Sequence, residues 1–496
     1  MLAVIAGGML ALAVGVVAGG SAAAAGALVF LATALVALGQ TRYRLLTWPN
    51  AFLVFIVVVW FVPIKLYRFP VDLPFQLELY RVLIVLLVLG FVASSLVTKQ
   101  QIDALGAGRP LFVLAAAALA SQIVNAQEIE AGAEGQALKS LSLLLSLIIV
   151  FLLVASTIKR FREIELLVVG LVLGGTIVAL TALYESRTQY NVFNHLAEWI
   201  PVFDRNEREV LATRGGRLRV HASAQHPIAL GAALIMLAPL AIFLALKARE
   251  LRMKVVWIAC TFLLGAGAAA TISRTTLVMG VAMAIVAYMV RREVLVRALP
   301  LLLVLPIFVH AAAPGAIGGL MSSFGSQEGT TFVGSFYTRG GETGSGRLAD
   351  VDPGLDLWAR SPIVGIGLEN PSLAASGADI GSVGPGATST VPIIFDNQYL
   401  NTLVSLGVVG LIGLVWFVWQ TVIRLVRAAR RFSGPYGDFI AACSLACVGY
   451  GVSMFVYDAM AFIQVTLLLF ITAALGLRAV RLATLEAQMP RSEPGA

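Results

Sequence analysis

Runs of about twenty apolar residues recur along the chain, most of them separated by short polar breaks, and they leave few folds open to it. A helix of that length crosses the hydrocarbon of a bilayer with every backbone N–H and C=O satisfied internally, which no open sheet or irregular segment achieves. About fourteen runs meet the criterion, near 2–18, 23–39, 49–65, 80–97, 110–126, 137–156, 163–184, 226–246, 253–271, 274–290, 294–312, 397–423, 438–456 and 459–478. The first two are short and rich in Ala and Gly, so the expected count is 12–14 transmembrane helices. Of the 496 residues, 59% are hydrophobic and only 12% charged, too few polar groups to cover a water-soluble globule. The expected fold class is an all-α polytopic membrane protein. The chain is apolar from Met1, with no basic segment ahead of the first run and no convincing cleavage site, and this reads as a retained first span. Cys260, Cys443 and Cys447 lie inside apolar runs and read as packing residues, without disulfide or metal spacing.

Lys and Arg set the expected orientation. The net charge of +8 flanks apolar runs instead of forming a compact basic face with interleaved aromatics, so membrane topology explains it better than nucleic acid does. With both termini cytoplasmic, 21 of the 35 basic residues fall inside and 14 fall outside or near the outer face. Six of those 14 (Arg187, Arg205, Arg208, Arg214, Arg217 and Arg219) crowd into the outer segment 185–225. Such an excess opposes the insertion bias and calls for a functional reason. The organisation expected is a transmembrane bundle over 1–184, a basic extracytoplasmic loop over 185–225, central spans over 226–312, a large extracytoplasmic loop over 313–395, C-terminal spans over 396–480 and a cytoplasmic tail over 481–496.

The polar segments carry the candidate chemistry. Arg219, within RLRVHASAQHPIALG (217–231), sits at the outer interface, where a guanidinium offers a permanent cation and forked donors to phosphate oxygens. The plainer reading is an Arg snorkelling to lipid headgroups. Arg217, His221 and His226 flank it as candidate substrate contacts. Ser273 and Arg274 interrupt an apolar stretch between two spans, and an Arg so placed generally faces a polar cavity. Asp396 and Asn397 stand at the outer mouth of the run 397–423. Asp396 reads either as a helix N-cap or, were a desolvated pocket to raise its pKa, as a base for a sugar hydroxyl; nearby arginines oppose that rise.

In the large loop, Arg347, Trp358 and the turn at Gly365 and Gly367 stand out. Asp352-Pro353 has the form of an N-cap and first-turn pair opening a short helix, so Asp350 and Asp352 are not read as a metal site. Trp358 reads as an interfacial anchor, and His195 and His310 as structural. No zinc spacing, nucleophile elbow or phosphate-binding Walker loop is present.

The order of these features resembles one family. Arg219, Ala222 and His226-Pro227, then Ser273-Arg274, Arg347, SPIVGIG (361–367), Asp396-Asn397-Gln398-Tyr399-Leu400, Gly407 and Gly410 look like the O-antigen ligase and polymerase superfamily over approximately the C-terminal 60% of the chain. The resemblance implies a bacterial inner-membrane glycosyltransferase of the all-helical GT-C type, active at its extracytoplasmic face. It would pass a glycan from a polyprenyl diphosphate to an acceptor glycan or lipid hydroxyl by single inverting displacement, without cofactor or metal. By similarity, Arg219 and Arg274 hold the diphosphate, Asp396 serves the acceptor, and Arg217, His221, His226, Arg347, Asn397 and Tyr399 are substrate contacts. The ligases usually begin the last motif with His-Asn, where this chain has Asp396-Asn397, and the departure favours a polymerase branch. The alternative class is a transporter or flippase for a lipid-linked saccharide. Transporters commonly show repeated halves with charge near the midplane, whereas here the charges gather at one face and no repeat is visible.

Overall fold

The computed structural model of the chain describes residues 47–69, 77–130, 134–200, 204–205, 211–214, 217–325, 331–333, 351–369 and 395–488. The expected spans 2–18 and 23–39 lie outside them. Every other expected span is helical, in α1 Trp48–Phe61, α2 Leu79–Thr98, α3 Gly108–Val124, α4 Glu134–Thr157, α5 Phe161–Thr188, α6 Pro227–Lys247, α7 Leu251–Ala270 and α8 Arg274–Ala312, then α10 Gln398–Arg431, α11 Gly434–Ser453 and α12 Ile463–Gln488. The short α9, Val351–Arg360, belongs to the large polar segment. Among the described residues, 7 helices are long and apolar enough to cross a membrane, and the protein is an all-α polytopic membrane protein.

Local chemistry explains where the elements stop. α1 ends at Phe61, short of residue 65, because Val62 precedes Pro63 and takes an extended conformation (φ −106°, ψ 105°). Its 14 residues reach only about 21 Å. α5 starts at Phe161 because the Glu163 carboxylate accepts from the backbone N–H of Lys159 and of Arg160 (2.9 and 3.1 Å). α8 holds both expected spans, 274–290 and 294–312, with the helix broken at Arg291 (φ −143°, ψ 55°). α12 and α6 form the centre of the bundle, with 94% and 78% of their most apolar windows buried, whereas α2, at 22%, lies on the outside.

Side-chain ties sort the loops into two opposed ends. At one end Asp103 accepts from Arg478 and Arg481, Lys247 pairs with Glu165, and Arg291 reaches Asp438 and the Phe432 carbonyl. At the other, Tyr67 donates to the Phe193 carbonyl, Arg187 to the Ala311 and Ala312 carbonyls, and Ile463 N–H to Gln225. The long polar segments meet at this second end. β3 (Leu211–Arg214) pairs with both β4 (Arg217–Leu218) and β5 (Thr331–Val333), so residues from 185–225 and 313–395 share one small sheet. A two-residue ribbon of β1 (Tyr67–Arg68) on β2 (Asp204–Arg205) adds a third segment to the same end.

Candidate functional site

The segment entering α6 is held by a buried carboxylate. Glu185, 2% exposed near the end of α5, accepts from the backbone N–H of His221 (3.3 Å) and of Ala222 (2.8 Å), and Asn191 donates to the Ala222 carbonyl (3.0 Å). These bonds hold Ala222 in the left-handed region (φ 45°). His221 points Nδ1 at the Ala224 carbonyl (3.2 Å), so that nitrogen carries the proton. His226 caps α6 instead: its Nδ1 accepts from Ile228 N–H (3.1 Å), which leaves the proton on Nε2. Both histidines thus have a local structural role at the place where substrate contacts were expected.

Arg219 is 2% exposed, and its Nε donates to the Thr271 carbonyl (3.3 Å). Thr271 belongs to the turn between α7 and α8, three residues before Arg274 opens α8. Arg219 therefore reaches the turn that Arg274 follows, and it faces protein and not bulk solvent. The turn is strained: Ile272, a β-branched residue, has φ 48°, a cost that tends to persist at functional sites. The hydroxyls of Ser273, Thr275 and Thr276 are buried there without a hydrogen-bond partner among the described residues. A buried Arg, a half-buried Arg274, a helix N-terminus and three orphan hydroxyls form a donor set suited to an anion.

At the mouth of α10 the cap is Asn397 and not Asp396. The Asn397 Oδ1 accepts from the N–H groups of Tyr399 (3.0 Å) and Leu400 (3.2 Å), which leaves Asp396 one residue outside the helix and half-buried. Tyr399 is turned into the bundle, its hydroxyl donating to the Gly451 carbonyl (2.8 Å) and its ring 4.4 Å from Phe455, so it braces α10 against α11. Asp352 likewise lies within the first turn of α9 instead of capping it, because the helix starts at Val351. Arg217 is in β4, paired through its backbone with Arg214. Arg347 and Asp350 lie outside the described residues.

The Gly-rich turn of the large loop is structural. α10 is broken at Gly407 (φ 66°, ψ −170°), and the turn 361–367 fills the break. Ile366 and Gly367 N–H donate to the Val404 and Ser405 carbonyls (both 3.0 Å), and Val408 N–H donates to the Pro362 carbonyl (2.9 Å). The orphan groups of both half-helices are thereby satisfied, as a broken helix in a membrane requires. Asn125 from the end of α3 donates to the Gly365 carbonyl (3.0 Å) and locks the turn in place.

Sequence reasoning missed the turn 454–462 between α11 and α12, which joins these pieces. Gln398 N–H donates to the Met454 carbonyl (2.8 Å), Met460 N–H to Gln398 (2.6 Å), Lys65 Nζ to the Ala461 carbonyl (3.2 Å), and the Phe462 ring lies 5.5 Å from that of His226. Its only carboxylate, Asp458, is half-buried and accepts from Asn401 Nδ2 (3.0 Å). A lone acid between two apolar runs was the available signal. Burial pushes the Asp458 carboxyl up to about 7, with Asn401 opposing the rise and Glu369 adding to it. Among the described residues no group of three or more His, Cys, Asp and Glu side chains is arranged to hold a metal ion. Two surface cavities, of about 490 and 430 Å³, lie at the opposite end of α3 and α10 around Trp416 and Gln420, away from this site.

Comparison with known families gives a match over residues 259–415 to the model described as O-antigen ligase. The stretch takes in the Thr271–Arg274 turn, α9, the Gly365 turn, Asp396 and the broken part of α10. It leaves out Arg219, His226 and Asp458. No curated protein matches the chain.

Proposed function

We propose that this chain, placed in the O-antigen ligase and polymerase superfamily by residues 259–415, moves a glycan from a polyprenyl diphosphate to an acceptor hydroxyl at the outer face of a bacterial cytoplasmic membrane. The observation that carries the proposal is the buried Arg219, hydrogen-bonded to the turn that launches Arg274. Displacing a diphosphate from an anomeric carbon builds positive charge on the sugar ring and negative charge on the departing oxygens. Arg219, held on the Thr271 carbonyl, Arg274 and the hydroxyls of Ser273, Thr275 and Thr276 supply donors for that negative charge. Fixed donors in a site that excludes water need no reorganisation at the moment of reaction, so they lower the barrier more than mobile ones. The donor arrives activated, and a single displacement inverts the anomeric centre without cofactor or metal.

On this reading Asp396 stands at the acceptor entrance, and Arg217 and Arg347 are substrate contacts. His221, His226, Asn397 and Tyr399 shape the site by holding its backbone. The departure from His-Asn at Asp396-Asn397 favours polymerase over ligase.

The test uses the lipid-linked glycan extracted from cells lacking this chain and the purified protein in lipid. Arg219→Ala and Arg274→Ala should each cut transfer about 100-fold while membrane levels hold. Transfer at the wild-type rate in both would end the proposal. Translocation of the donor without any bond formation would support a flippase instead.

A further inference from the structure

The turn 454–462 touches both halves of the site. Its Ile463 end receives Gln225 from the Arg219 segment (2.8 Å), and its Met454 and Met460 groups hold Gln398 at the mouth of α10. Asp458 sits between those contacts. It is fixed by a relay along one stripe of α10: Ser405 Oγ donates to Asn401 Oδ1 (3.0 Å), which leaves Asn401 Nδ2 to donate to Asp458 Oδ2 (3.0 Å). Ser405 is itself anchored at the helix break, where its carbonyl accepts from Ser121 Oγ (2.7 Å) and Gly367 N–H (3.0 Å). A flipped Asn401 amide would set its Oδ1 against the Asp458 carboxylate, so the relay favours the orientation in which Nδ2 donates to Asp458.

Resting on the transferase reading above, we infer that Asp458 takes the proton from the acceptor hydroxyl. The hydroxyl oxygen forms its bond to the anomeric carbon as the bond from that carbon to the diphosphate oxygen breaks. The electron pair leaves with the diphosphate at Arg219 and Arg274, and the hydroxyl proton passes to Asp458. The charged groups around Asp458 are Glu369 beyond the Gly365 turn, Asp396 at the mouth of α10 and Lys65 after α1, with the Tyr450 and Tyr457 hydroxyls from α11 and the turn itself. Two carboxylates against one ammonium, together with burial, hold the proton affinity of Asp458 above that of an ordinary carboxylate. A base whose affinity lies near the working pH is the effective one.

The experiment measures transfer from the extracted lipid-linked glycan across pH, and binding of undecaprenyl diphosphate separately. Asp458→Asn should lower transfer at least about 100-fold with undecaprenyl diphosphate still bound. Wild-type rate should climb as pH rises through about 7, because the base must be ionised. Asn401→Ala keeps the carboxylate but removes the hydrogen bond that favours its charged form, so the climb should shift to higher pH. Transfer by Asp458→Asn within about 3-fold of wild type, or an unshifted profile in Asn401→Ala, overturns the assignment even where Arg274→Ala has lost transfer. Wild-type transfer by Arg219→Ala and Arg274→Ala removes the transferase reading itself, and the assignment with it.

Discussion

A Cβ on Gly407 would stand 2.1 Å from the Ile363 carbonyl oxygen, so the membrane helix and the turn from the large loop meet backbone to backbone. Gly365 has the same relation to Ser405, with a Cβ only 2.4 Å from that carbonyl. Gly407→Ala must move the turn and also place a side chain at φ 66°, ψ −170°, a region that only glycine populates readily. The expected loss is about 3 kcal/mol or more. Gly434 is the control, since its φ of 68° is also positive but nothing lies within 4 Å of its Cβ position. Thermal unfolding in detergent should show a much larger fall for Gly407→Ala than for Gly434→Ala. Equal falls would mean that the docked turn adds nothing to stability.

Hydropathy made the bundle legible because the spans differ from the loops in transfer free energy, and even the break in α8 was visible through the charge of Arg291 and Arg292. It was blind to the break in α10, where an apolar run continues across Gly407 and only the backbone departs from helix. Capping was misassigned by one residue because Asp396 and Asn397 are equally able caps by type, and the direction of chain entry decides between them. The expected run 49–65 overshot the end of α1, because the effect of Pro63 on Val62 outweighs the apolar character of the residues that follow. Asp458 and Glu185 escaped notice because the long loops drew the search, while these two act from a short turn and a helix end.

Glu185 holds the Arg219 segment through the backbone N–H groups of His221 and Ala222. Glu185→Ala leaves both N–H groups buried without an acceptor, which costs about 2–3 kcal/mol and frees the approach to α6. Hydrogen exchange should speed up over 219–226 in the variant, and transfer should fall although Arg219 is intact. Unchanged exchange there would show that the segment is held by other contacts.

The two caps give a test that separates structure from binding. Asn397→Ala should cost about 1 kcal/mol, and Asp396→Ala less than about 0.5 kcal/mol, measured as the shift in unfolding temperature. At His226 the informative change is to Asn, whose Oδ1 can accept from Ile228 N–H as Nδ1 now does. If the histidine acts only as a cap, His226→Asn retains transfer that His226→Ala loses. Loss in both variants would instead assign the His226 ring a contact with substrate.

Asp458 should also make the protein less stable as the medium becomes more basic. Its carboxyl is raised from 3.8 to about 7 on folding, so between those values the folded state binds more protons than the unfolded chain. Stability then falls as pH rises through that window, and the full cost is present above it. The shift sets a ceiling of about 4 kcal/mol, and water access to a half-buried side chain reduces this to about 1–2 kcal/mol. Asp458→Asn removes the titration but keeps an oxygen to accept from Asn401. Its unfolding temperature should exceed that of wild type at about pH 8, with the two nearly equal at about pH 4. A variant at once more stable and inactive is the signature of a carboxylate kept against the interest of folding, whereas a variant less stable at both pH values would make Asp458 a strut.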